Sequence, residues 1–245
     1  EQRDITQSWF NENYLRRYDA EGNPVTEPVR YYDGTDRVAE RGASVVGLED
    51  GGFAIAWRAH ETNDIRVHTY DAAGSRISDR QIDLPDRSIL DGSREVEVDA
   101  EGGAPALAAL EGGGFAVTFD AGYSGILAQY GGAATMYTAT FDGAEMQVSG
   151  PVQITPWVGT GSYSYDRGNF VSDAAGLPGG NYVVTYRLGI DAPGGEGEEP
   201  DAGVQILSAS GTQVAGPFAA NTSDEYIRYP SVATLADGSF VVAWT

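Results

Sequence analysis

Tyrosine, aspartate and arginine recur together at four places in this chain, or nearly so. The segments are Tyr31-Tyr32-Asp33-Gly34-Thr35-Asp36-Arg37, Asp91-Gly92-Ser93-Arg94, Tyr163-Ser164-Tyr165-Asp166-Arg167 and Asp224-Glu225-Tyr226-Ile227-Arg228-Tyr229. A flat aromatic face stacks on the apolar face of a sugar or packs on a peptide, while a neighbouring carboxylate and guanidinium fix hydrogen-bond geometry. Tyr32, Asp36, Arg37, Asp91, Arg94, Tyr163, Tyr165, Asp166, Arg167, Asp224, Tyr226 and Arg228 are therefore candidate ligand contacts. The same Asp and Arg residues suit a second role equally, as polar staples between repeated units. Trp157 and the Tyr163/Tyr165 pair break the fourfold pattern and read either as a stacking platform or as packed loop aromatics.

Other chemistry is thinner. Asp191, Glu196, Glu198, Glu199 and Asp201 lie among glycines and offer oxygen ligands for Ca²⁺, without the alternating spacing of a defined calcium loop; a solvated acidic loop is the competing reading. His60 and His68 have no carboxylate partner evident in the sequence, and His68 is expected to pack or face solvent within a strand. There is no Gly-x-Ser-x-Gly elbow, His-Glu-x-x-His motif, phosphate loop or sialidase-type Ser-x-Asp-x-Gly-x-Thr-Trp box. Carboxylate pairs for glycan cleavage stay open among 36 acidic residues.

Composition narrows the partners. A net charge of −21 disfavours nucleic acid and anionic membrane surfaces. The chain contains no Cys, and all 15 basic residues are Arg, so disulfide, thiolate and Schiff-base lysine chemistry are absent. No apolar run reaches the roughly 20 residues of a membrane span. The first residue, Glu1, is not Met, which reads as processing or trimming of the chain.

The elements that position these residues come from an internal repeat. Ala43 to Trp57, Pro105 to Phe119, Ser172 to Tyr186 and Pro230 to Trp244 share one pattern: a short apolar strand, a Gly-containing turn, then an aromatic opening a second alternating strand. A further strand ending in aromatic-Asp and a small-residue turn follows the first two copies, as in Ile65 to Gly74 and Met136 to Gly143, and more weakly in Val204 to Gly211. Four strands per unit result. The N-terminal stretch Tyr14 to Asn23 is such a second half without a first, and Pro230 to Thr245 is a first half without a second. Phe53 to Tyr70, Phe115 to Phe141 and Tyr182 to Leu207 are spaced 17, 26 and 25 residues apart, and Phe240 to Tyr18 counted through joined ends gives 23. The expected fold is one all-β domain, a four-bladed β-propeller closed by pairing of the N- and C-terminal strands. Its blades fall at 26–87, 88–155, 156–220 and 221–245 completed by 1–25. The competing reading is a length cut from a longer array.

These hairpin and aromatic-Asp-Ala-x-Gly motifs, clearest at Pro230 to Trp244 and Tyr14 to Val25, resemble repeats of large bacterial secreted or surface proteins of the RTX and haemolysin-type calcium-binding class, adhesins included. The resemblance implies a secreted or cell-surface setting, calcium nearby and a role in adhesion. The nonapeptide calcium repeats of that class are absent, so no calcium ligand transfers by residue.

In such a blade the tight turns share one face, while the long segments 58–64, 120–134 and 188–201 share the other with the inter-blade connections. That face is expected to bind a glycan or a peptide, as an extracellular recognition module ahead of an enzyme. The alternatives are a small propeller hydrolase or lyase acting on a polysaccharide, and a structural or assembly subunit.

Overall fold

The structure, a computed structural model, describes residues 14–31, 43–59, 64–83, 87–91, 94–98, 101–122, 135–144, 147–155, 170–188, 201–221, 227 and 229–245. Within them the chain is all-β, apart from a single 3-10 turn at Pro178–Gly180.

Three repeats each build an antiparallel sheet in sequence order. The first holds β3 (Ser44–Gly47), β4 (Phe53–Arg58), β5 (Ile65–Tyr70) and β6 (Arg76–Ile82). The second holds β10 (Ala106–Ala109), β11 (Phe115–Gly122), β12 (Thr135–Phe141) and β13 (Gln147–Gln153), with β9 (Glu101–Gly102) added beside β11. The third holds β14 (Phe170–Gly176), β15 (Tyr182–Leu188), β16 (Asp201–Leu207) and β17 (Gln213–Ala219). The fourth repeat is the hairpin β18 (Ser231–Thr234) and β19 (Phe240–Ala243). Two more hairpins complete the described strands: β1 (Tyr14–Leu15) with β2 (Val29–Arg30), and β7 (Arg87–Asp91) with β8 (Arg94–Val98).

Local chemistry fixes the turns. In the first repeat Leu48 N–H donates to Gly52 O at 2.9 Å and Gly51 N–H to Leu48 O at 3.0 Å, with Gly51 at φ 85°. That left-handed φ strains residues carrying a Cβ, which explains the glycine in every copy of this turn: Gly113, Gly180 and Gly238 share the conformation. The outer turns repeat the left-handed glycine, Gly74 at φ 87° and Gly22 at φ 86°, and add a side chain. Asp71 Oδ1 accepts from Ser75 N–H at 2.8 Å, and Asp19 Oδ1 accepts from Asn23 N–H at 2.7 Å. The N-terminal hairpin thus has the turn of an outer blade half.

Alternation along the strands gives each sheet two apolar faces, and successive sheets stack through them. Phe115, Val117 and Phe119 of β11 meet Ala54, Ala56 and Val67 of the first sheet. Tyr182, Val184 and Tyr186 of β15 meet Ala106, Ala108 and Met136 of the second. Phe240 and Val242 of β19 pack against Val183 and Val204 of the third. The opposite face of the first sheet, Phe53, Ile55 and Trp57, receives Leu15 and Tyr31 from the N-terminal hairpin.

Polar groups tie the innermost strands of neighbouring repeats together. Leu107 N–H donates to Ser44 Oγ at 3.1 Å. Asp173 Oδ2 accepts from Ser231 Oγ at 2.6 Å and from Val232 N–H at 2.9 Å, and Thr234 Oγ1 donates to Gly176 O at 2.6 Å. The arrangement is a propeller-like stack of antiparallel sheets. The expected pairing of terminal strands is not among the observed ladders: β1 pairs with β2, and β19 with β18.

Candidate ligand-binding face

Strand polarity separates two faces. Each second strand, β4, β11, β15 and β19, starts at a tight turn and runs toward the long connections. Near the far end of that strand each copy has a ring aromatic followed by one more residue. Arg58 follows Trp57, Asp120 follows Phe119, Arg187 follows Tyr186, and Thr245 follows Trp244. Three charged side chains thus stand at one repeat position on the loop face, anchored by aromatics that are buried in the three full sheets. Asp120 is itself buried, and Gly103 N–H donates to its backbone oxygen at 2.6 Å. A Cβ at Gly103 would lie 2.1 Å from Asp120 Oδ2, so glycine is the residue that lets the chain pass this carboxylate. Trp57 Nε1 and Tyr186 Oη are buried without a hydrogen-bond partner among the described residues. Burial pushes the Tyr186 phenol up to about 12, so it stays protonated and able to donate.

The opposite, tight-turn face carries a cavity of about 620 Å³ on the repeat axis, lined by Leu48, Leu110, Leu177 and Thr234 with Glu49 and Glu111. Both carboxylates are engaged across blades: Gly112 N–H donates to Glu49 Oε2 at 3.2 Å, and Gly179 N–H to Glu111 Oε2 at 2.6 Å. These bonds hold successive blades in register, and apart from Thr234 the remaining side chains of the lining are apolar.

His68 has a partner that the sequence did not reveal. Its Nε2 lies 3.3 Å from Asp79 Oδ2, its Nδ1 lies 3.4 Å from Tyr70 Oη, and its ring stands edge-on to Trp57 at 4.6 Å. Arg66 and Arg76 also face Asp79, at 3.3 and 3.9 Å. Desolvation is the largest influence and lowers the His68 pKa, against the opposing pull of Asp79. A neutral imidazole protonated on Nε2 then donates to Asp79 and accepts from Tyr70. Tyr31 covers the cluster, its ring 5.1 Å from Trp57, and its own phenol is pushed up to about 12 by burial. His68 is buried by these contacts, while Asp79 and Arg76 stay partly exposed at the outer edge of the sheet.

Of the residues singled out from sequence, Tyr32, Asp36, Arg37, Trp157, Tyr163, Tyr165, Asp166, Arg167, Asp224, Tyr226 and Arg228 lie outside the described residues. So do Asp191, Glu196, Glu198 and Glu199 of the acidic stretch, while Asp201 opens β16. Asp91 and Arg94 are register partners closing the β7–β8 hairpin around Gly92-Ser93, which places them at a hairpin tip. Sequence reasoning passed over Arg58, Asp120 and Arg187; their signal was the charge following the aromatic in three of four repeats. Among the described residues no group of His, Asp and Glu is arranged to hold a metal ion, and no helix is long and apolar enough to cross a membrane.

No family model matches the chain, and no curated protein matches it in sequence. Solved structures do match in fold. A polysaccharide lyase of a new family, an ulvan lyase, aligns with a TM-score of 0.52 at 12% identity over 91% of this chain and 56% of its own. Its complex with -[GlcA(1-4)Rha3S]- aligns equally, with a TM-score of 0.52, 12% identity and the same 91% and 56% coverage. The chain therefore spans little more than half the length of that lyase. An α-L-arabinanase of Penicillium chrysogenum aligns with a TM-score of 0.47 at 14% identity over 94% of this chain and 66% of its own. A puromycin hydrolase aligns with a TM-score of 0.47 at 16% identity over 94% and 32%. At these identities the likeness is one of fold: an all-β, propeller-like array.

Proposed function

We propose that this chain is a polysaccharide-directed propeller module, acting as a lyase or hydrolase, with the long-loop face as its working face. The observation that carries the reading is the repeat-equivalent set Arg58, Asp120 and Arg187 at the loop-face ends of β4, β11 and β15. On a chain of net charge −21, two arginines at one face are a place for the carboxylate or sulfate groups of an acidic glycan. A buried carboxylate between them in sequence order suits proton transfer at a sugar carbon or glycosidic oxygen. The fold likeness to a lyase solved with a uronate- and sulfate-bearing saccharide supports cleavage ahead of adhesion. In this reading the four repeats form one ring, and calcium at 191–201 and an RTX-type secreted setting are further parts of it.

The test is incubation with a -[GlcA(1-4)Rha3S]- polysaccharide and with arabinan, with and without Ca²⁺, scored for chain shortening and for unsaturated uronate. The reading expects depolymerisation of one of them, weakened through KM by Arg58→Gln or Arg187→Gln and through kcat by Asp120→Asn. Retention on a polysaccharide without cleavage returns the recognition-module reading. Neither binding nor cleavage overturns both.

A further inference from the structure

The repeat equivalences show two surfaces left uncovered that are covered everywhere else. Val45 of β3 is 65% exposed, whereas Leu107 at the same position of the next repeat is 5% exposed. Val241 of β19 is 51% exposed, whereas its equivalents Ala54, Ala116 and Val183 are buried between sheets. Tyr14, Leu15, Tyr31, Ala43, Val45, Phe53 and Ile55 border a groove of about 500 Å³ between the N-terminal hairpin and the inner strands of the first sheet. That is the place an inner blade half takes at every other interface: Leu15 already packs against the first sheet as an outer half does, and nothing described fills the inner position.

We infer that the groove is the seat of the β18–β19 hairpin of the same chain, so that β19 pairs with the strand containing β1 and completes the fourth blade. This rests on the ring reading above and gives it a register. The β4–β5 ladder pairs Phe53 with Tyr70 and Ile55 with His68. Carried to the fourth repeat, it pairs Phe240 with Tyr18 and Val242 with Arg16. Phe53 and Tyr70 stack at 4.6 Å, and Phe115 and Phe141 at 4.8 Å. Phe240 and Tyr18, the latter 57% exposed, are the unmatched members of the same series.

The absence of cysteine gives a clean background for a cross-link. Val242→Cys combined with Arg16→Cys is oxidised and read by non-reducing electrophoresis and mass spectrometry. The inference expects an intramolecular disulfide in a monomer; a shift of one partner to Tyr14→Cys lowers its yield several-fold. Disulfide-linked dimers mean that a second copy fills the groove, and free thiols mean an open seam; either overturns the inference. If the double variant does not fold, Val45→Asp serves. It unfolds at markedly lower urea than the parent if the groove is occupied, and at the parent's midpoint if Val45 is as exposed as its present surroundings make it. Neither readout involves a glycan, so failure here leaves the functional reading to its own assay.

Discussion

The interface between the second and third sheets and the seam between the fourth repeat and the first are made of the same residue types, yet one is closed and the other open. In the former, Tyr182, Val184 and Tyr186 meet an alanine-lined surface, and Gly176 lets the innermost strands touch. At the seam, Val45 and Val241 occupy positions that are buried in the other repeats and stay exposed among the described residues. Each inner interface joins sheets adjacent in sequence, whereas the seam joins the two ends of the chain, so variants at equivalent positions separate a closed ring from an uncovered edge.

Truncation at the ring aromatic breaks the comparison most strongly. Tyr186→Ala should cost about 3–5 kcal/mol in urea unfolding, the usual range for a buried large aromatic. Trp244→Ala, at the equivalent position but 38% exposed, should approach that loss if the seam closes. It should stay below roughly 1 kcal/mol, as for surface substitutions, if it does not.

Glycine replacement gives the next contrast. Gly176→Ala forces a methyl into the Ala109 carbonyl and should cost about 1–3 kcal/mol, as overpacking does. Gly47→Ala should cost less than about 0.5 kcal/mol, because nothing described lies within 4 Å of the added Cβ and alanine holds the same place in the second repeat as Ala109. Thermal unfolding of the two variants side by side reads this directly.

Polar staples follow. Asp173→Asn keeps the shape but removes the charge that accepts from Ser231 and Val232. It should cost about 1–2 kcal/mol, against roughly 0.5–1.5 for Ser44→Ala, whose hydroxyl accepts a single bond from Leu107. Urea midpoints of the two variants measure the difference.

The smallest effect expected is a pH dependence. Because burial lowers the His68 pKa below its usual 6.5, the unfolded chain binds the proton first. The contribution of His68 is present above about pH 6.5 and is lost as pH falls toward the folded value. His68→Gln should flatten the stability profile between pH 7 and 5 relative to the parent; a profile unchanged by the substitution contradicts the assignment.

Much of the fold was legible because turn chemistry and alternation are local. Gly51, Gly113, Gly180 and Gly238 mark turns that take a left-handed φ, and the aromatic after each turn marks the start of a buried strand. What stayed hidden depends on register or on distant chain. Asp79 reaches His68 because of a register shift between Thr69 and Tyr70 that no spacing announces. Asp173 belongs to the most diverged repeat, and its partners lie about 58 residues away in sequence. The β7–β8 hairpin stayed hidden because Asp91-Gly92-Ser93-Arg94 stands out as one of the four Asp–Arg segments, which masks a glycine-containing turn between two alternating stretches. The charges at Arg58, Asp120 and Arg187 were overlooked because they differ in sign, while the Asp-Arg-Tyr segments drew attention by sameness.

The ring is tested most directly on the unaltered chain, by hydrogen exchange of the peptide covering residues 240–245 against that covering residues 182–188. A closed fourth blade predicts that the β19 amides facing away from β18 exchange as slowly as those of β15, which is paired on both sides. Exchange of those β19 amides within the dead time, with β15 fully protected, would contradict it and leave the molecule an open arc of three blades and a hairpin.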